Sequence, residues 1–196
     1  MNKALLTALT IGLLAGLGGA FARANTSHQV SVNIPDLLQI RITDGSSTAE
    51  VTGTTVGFDY TTAAGITAYM AALNVGGGSL APTDASPAFG NVLVFSNHNS
   101  DWSVTLGVSV SGTPSATPAL PGSRVTVTPS GSTGTGVSTM VSQFNLGMNG
   151  TTLATGNKTQ GWSGLGFGAS DFSLYVDGTE SPGTTVFDVT YSIAAP

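Results

Sequence analysis

Cysteine is absent from this chain of 196 residues. With it go disulfide scaffolds, thiolate zinc centres, iron–sulfur clusters and cysteine nucleophiles. Charge is scarce as well: Asp, Glu, Lys and Arg make up 8% of the residues, against about 25% in ordinary soluble domains. Five Lys and Arg residues cannot build the basic footprint that nucleic-acid binding requires. Histidine is confined to His28 and His98, which leaves little material for general-base or metal chemistry. Scarce charge does not mean disorder here, because 40% of the chain is hydrophobic and apolar surface on that scale drives collapse.

What is present begins with an address. Lys3 is a positive n-region, residues 4–21 are an apolar stretch, and Ala22-Arg23-Ala24 fits the small-residue cleavage rule. Residues 1–24 therefore read as a secretory signal, and residues 25–196 as a single secreted domain, free outside the cell, held at its surface or retained in a periplasm. No second long apolar run follows, so no membrane-spanning segment is expected after cleavage. The mature chain sets three bases (Arg41, Arg124, Lys158) against ten acids, a net charge of −7. Such a surface disfavours anionic lipid and nucleic acid and relies on hydroxyls for solubility. Ser and Thr supply 48 of its 172 residues.

Period-two alternation dominates the mature chain. Val30, Val32 and Ile34 alternate with polar residues up to Pro35; Leu38, Ile40 and Ile42 follow, closed by an Asp44-Gly45 turn. Trp102, Val104, Leu106, Val108 and Val110 form the clearest apolar face, and Phe172–Val176 and residues 185–193 repeat the pattern near the end. Further candidate strands are 49–58, 91–96, 124–128 and 137–146, each bounded by turn residues. One-sided strands of this kind belong to antiparallel sheets, and eight or nine of them imply an all-β, immunoglobulin-like antiparallel sandwich. One segment differs. Ile66, Tyr69, Met70 and Leu73 follow helical spacing before Asn74 and Gly76, so residues 63–74 form either a short helix or another strand. The stretches 76–88, 111–123 and 129–136 read as loops.

Catalytic patterns are missing. The near match Gly161-Trp162-Ser163-Gly164-Leu165 has leucine where a nucleophile elbow needs its last glycine. His98 lies in a polar turn, Asn97 to Asp101, and His28 near the mature N-terminus. No H-x-H or HExxH spacing occurs. The acidic turns Asp177-Gly178-Thr179-Glu180 and Asp44…Glu50 leave room for an incidental calcium but follow no known loop pattern. The expectation is a protein that is not an enzyme and carries no cofactor.

Two local patterns resemble a known family. Asn97-His98-Asn99-Ser100-Asp101-Trp102-Ser103-Val104-Thr105-Leu106 is similar to the turn-then-strand segment of bacterial WxL cell-wall-binding domains. The ending, Gly183 to Pro196 with Phe187, Tyr191 and Ile193 within it, is similar to that family's closing strand and to those of spore-coat-U-like, fimbrial-type secreted sandwiches. Valine stands at position 104 where the family has leucine, and Tyr191-Ser192-Ile193 replaces the second tryptophan motif. The resemblance implies a secreted sandwich and cell-wall attachment, with Trp102, Val104, Tyr191 and Ile193 as motif positions; packing accounts for the same residues.

Three roles follow as expectations. The first is a non-enzymatic envelope or surface protein acting by adhesion or structural assembly, with wall polysaccharide or copies of itself as partner. The second is a pilus- or fibre-type subunit that donates the strand carrying Val30, Val32 and Ile34 to a neighbour. The third is a glycan-binding module that offers Trp162, Phe167 and Tyr60 as stacking surface.

Overall fold

The structure is a computed structural model that describes residues 29–196. Residues 1–24, read above as a secretory signal, and His28 lie outside the described residues. The chain divides after Pro35 into two units. In the first, residues 29–35 belong to no sheet, and Val30, Val32 and Ile34 are 76%, 75% and 73% exposed. The strand expected there is absent. Alternation makes a segment fit to be a strand, but a strand exists only where a second backbone completes its ladder.

Residues 36–196 contain thirteen short strands and one α-helix. In chain order they are β1 (Leu38–Thr43), β2 (Thr55–Gly57), α1 (Ala63–Asn74), β3 (Gly78–Leu80), β4 (Asp84–Ser86), β5 (Asn91–Ser96) and β6 (Trp102–Val110). After these come β7 (Val125–Val127), β8 (Val137–Met140), β9 (Phe144–Asn145), β10 (Thr152–Gly156), β11 (Ser163–Gly164), β12 (Phe172–Val176) and β13 (Phe187–Ala194). All pairings are antiparallel. The sheets run β1-β5-β11, β13-β6-β10-β8, β3-β12-β7-β9 and β2-β4. The all-β architecture with a short helix is as expected, although the strands divide among four sheets where a simple sandwich has two.

Apolar side chains from three sheets meet in one core that includes Val92, Val94, Trp102, Leu106, Phe144, Leu153, Leu165 and Phe167. The alternation of β6 is read out directly, with Trp102, Val104 and Leu106 fully buried. Strand β10 had no such signal. Leu153 and Ala154 are both buried because the register slips between Thr152 and Ala154, and such an irregularity erases period two. Gly156 lies directly against Trp102: a Cβ there would come within 2.2 Å of the indole.

Several boundaries differ from the expectation. Of residues 49–58 only β2 is strand, and residues 137–146 split into β8 and β9, which join different sheets. The presumed loop 76–88 holds β3 and β4. Helix α1 starts at Thr62, whose hydroxyl accepts from the Gly65 N–H at 3.1 Å, an N-cap arrangement. It stops at Gly76, whose φ of 87° is left-handed. The Gly76 and Gly77 N–H groups there bond the carbonyls of Leu73 and Ala72 in a Schellman arrangement. The buried face is carried by Gly65, Tyr69, Ala72 and Leu73, while Ile66 and Met70 are half exposed. The helical period was legible, but the face is turned by one residue because small Gly65 and Ala72 allow closer packing.

Candidate functional site

Among the described residues, β13 is the last strand of its sheet and pairs only with β6, from Phe187↔Val110 to Ala194↔Ser103 without a break. Its odd-numbered residues face the core and its even-numbered ones face outward. Backbone direction follows the same parity. Ser111 N–H bonds the Val186 carbonyl at 2.8 Å, so even-numbered peptide groups point to β6. Leu106, opposite Tyr191, bonds instead to Gly150 and Thr151. The peptide groups of Phe187, Val189, Tyr191 and Ile193 therefore point off the free edge and have no partner among the described residues. Their side chains are only half-buried, whereas Val104 and Leu106 beside them on β6 are fully buried.

β1 presents a second edge of the same kind. Leu37 and Thr43 bond toward β5 through Asn97 and Gly90, so Leu38, Ile40 and Ile42 direct their peptide groups the other way. The Ile42 carbonyl is taken by the Val51 N–H at 2.8 Å. A cleft of about 360 Å³ touches both strands and is lined by Ile40, Ile42, Val51, Val189 and Tyr191 among others. Tyr191 reaches inward to the Phe167 ring, centroid to centroid 5.4 Å. Its hydroxyl is buried without a hydrogen-bond partner among the described residues, and burial raises its pKa.

The motif positions are brought together, since Ile193 pairs with Val104 across β13 and β6. Trp102 is 1% exposed, and its Nε1 donates to the Asn157 carbonyl at 2.6 Å. These residues pack the core. The aromatic set does not form a platform. Phe167, expected at the surface, is 1% exposed and packs edge-on to Phe144; its flanking glycines concealed that it belongs to the core. The Tyr60 hydroxyl donates to the Ala81 carbonyl. Trp162 is half-buried, tilted against Phe95, with the Arg41 guanidinium 4.3 Å from its ring centre.

Several ionisable groups pair with neighbours in space. His98 Nδ1 lies 2.6 Å from Asp36 Oδ2. Arg124 holds Asp177 at 2.9 Å and Glu180 at 3.5 Å. Hydrogen bonds from Arg124 and Thr179 keep the Asp177 carboxyl well below its ordinary range. At Glu180 burial works in the opposite direction and is outweighed by the Asp177 N–H and the Tyr69 hydroxyl, so its pKa is also lowered. Asp44 accepts from Ser46 and Ser47. Among the described residues no three His, Asp or Glu side chains cluster closely enough to hold a metal ion. Nor is any helix among them long and apolar enough to cross a membrane.

The alternation of residues 29–34 and the strand now seen as β13 were both legible in the sequence, but not that β13 ends its sheet. The one available signal was the absence of Lys and Pro from residues 187–194, since edge strands are commonly guarded by such residues. Comparison with protein-family models gave no match, and comparisons with curated proteins and with solved structures gave none of significance.

Proposed function

We propose that this chain is an exported structural protein of the cell surface or extracellular space, assembling with copies of itself through residues 29–34. The observation that carries the reading is the exposure of Val30, Val32 and Ile34 in a segment that belongs to no sheet. Three branched apolar side chains at alternate positions are the chemistry of a strand added to another sheet, where main-chain hydrogen bonds hold and alternate side chains insert. The export pattern of residues 1–24, the hydroxyl-rich surface and the absence of catalytic patterns support the same role. A glycan module has less support, because Trp162 is already engaged by Arg41 and Phe95.

The test is the assembly state of the exported chain, measured by light scattering after size exclusion and compared with a V30D/V32D/I34D variant. The native chain should be recovered outside the cytoplasm as oligomers or polymers. The variant should be a monomer with unchanged melting temperature, because exposed substitutions change stability by no more than about 0.5 kcal/mol. A native chain that stays monomeric, a variant that assembles as well as the native chain, or recovery only from the cytoplasm would overturn the proposal.

A further inference from the structure

We propose that the acceptor for residues 29–34 of one copy is the free edge of β13 in a second copy. This rests on the self-assembly reading above. The described sheets end in β1, β11, β13, β8, β3 and β9, with β2 and β4 forming a pair of their own. Of these edges, β11 and β9 are two residues long, β3 three and β8 four, and the register of β8 against β10 is irregular. β1 has six residues, but Val51 occupies it at Ile42. β13 has eight residues in unbroken register and contains neither Lys nor Pro. It is the longest open edge among the described residues, and of the devices that normally discourage strand addition it carries only the single charge of Asp188.

The donor matches that edge in length and pattern. Six extended residues span about 20 Å at roughly 3.4 Å each, within the reach of an eight-residue strand. With Val30, Val32 and Ile34 turned inward, they meet the half-buried Val189, Tyr191 and Ile193 and close the mouth of the cleft floored by Ile40 and Ile42. Gln29, Ser31 and Asn33 then lie outward beside Asp188, Thr190 and Ser192, so that no two like charges are opposed. The strand is added to β13 rather than threaded between both edges. β1 and β13 approach within 8 Å between Cα atoms, whereas an intercalated strand needs about 9.5 Å, two strand spacings.

The chain order disfavours a hairpin of residues 29–34 onto β1 of the same chain. Leu37 is already bonded to Asn97, its N–H to Oδ1 at 2.6 Å. A hairpin back onto β1 of the same chain would thus have only Pro35 and Asp36 as its loop. Two-residue hairpin loops that match strand twist need positive φ at the first position in type I′ or II′ turns, and proline fixes φ near −65°.

The chain has no cysteine, so introduced pairs report contact without background. Mixtures of full-length S31C with D188C, T190C or S192C are oxidised, with S79C on the β3 edge as the comparison. The expected result is an S31C heterodimer with at least one β13 partner, about tenfold above that with S79C. V189P, which removes an N–H pointing off the edge and spares the β6 ladder, should suppress it. Cross-linking no stronger than with S79C overturns the proposal. So does an S31C/T190C double variant that closes only within single chains. If V30D/V32D/I34D abolishes assembly while no β13 position cross-links, the edge is misassigned and self-assembly stands. If that variant assembles normally, both readings fall.

Discussion

Replacing Trp102 by alanine separates its two readings, a packing residue of the core and a contact residue of a wall-binding motif. The indole is 1% exposed and donates to the Asn157 carbonyl. A buried aromatic side chain covers about 150–250 Å², which at about 25 cal/mol per Å² amounts to roughly 4–6 kcal/mol. Measured Trp→Ala losses of about 3–5 kcal/mol agree with that figure. The Asn157 carbonyl also loses its donor, at a cost of about 1–3 kcal/mol where water cannot replace it. A loss of about 4–6 kcal/mol is therefore expected, against total stabilities of about 5–15 kcal/mol. The assay is urea denaturation followed by Trp162 fluorescence and circular dichroism, since Trp162 is the only other tryptophan. At roughly 2–4 °C per kcal/mol, melting should fall by about 10–20 °C. A change below about 1 kcal/mol would refute the reasoning, because an indole enclosed as described cannot be removed so cheaply.

Two further predictions concern ionisable groups. Tyr191→Phe removes a buried hydroxyl without a partner and keeps the ring against Phe167, so stability should rise by about 1 kcal/mol or more. A fall would instead mean that the hydroxyl is bonded to an ordered water. Because burial raises the folded-state pKa of Tyr191, the native chain should lose stability as pH climbs above about 10, the unfolded tyrosine value. Alkaline titration of the Tyr191→Phe variant should show a shallower loss. Arg124→Met breaks the contacts that hold Asp177 and part of those at Glu180. The depressed pKa of Asp177, for which Arg124 is the largest cause, stabilises the fold above the unfolded carboxylate range and loses that effect as pH falls through about 4 and below. Glu180 keeps the Asp177 N–H and Tyr69 hydroxyl that lower its own. Acid unfolding of the variant should be less steep than that of the native chain, and equal slopes would show that the ion pairs are not maintained in solution.

Legibility in the sequence followed how local the determining physics was. β1, β6, β12 and β13 were readable because each puts apolar residues on one face over five residues or more, and β5 because Val92–Phe95 is an unbroken apolar run bounded by turn residues. The turns at Asp44-Gly45 and Asp177-Gly178 were readable because aspartate side chains bond the following amides. β10 escaped because a register slip buries two neighbours in succession. β3, β4 and β11 escaped because strands of two or three residues carry no period. Phe167 was assigned to the surface because glycines surround it, yet glycine there permits close approach: a Cβ on Gly168 would come within 2.4 Å of the Gly90 carbonyl.

The sequence by itself determined the antiparallel all-β class, a segment with helical spacing at residues 63–74 that was open between helix and strand, and a segment with the pattern of a strand at residues 29–34. Alternation, capping residues and turn residues act over a few positions and need no distant partner to be read. Only the tertiary structure decided which of these segments found a partner. A ladder requires two backbones, and which backbones meet depends on chain crossings that no local pattern encodes. Thus Val30, Val32 and Ile34 stand exposed with the pattern of a strand and no sheet, while β13, alike in pattern, has a partner on one side and an open edge on the other.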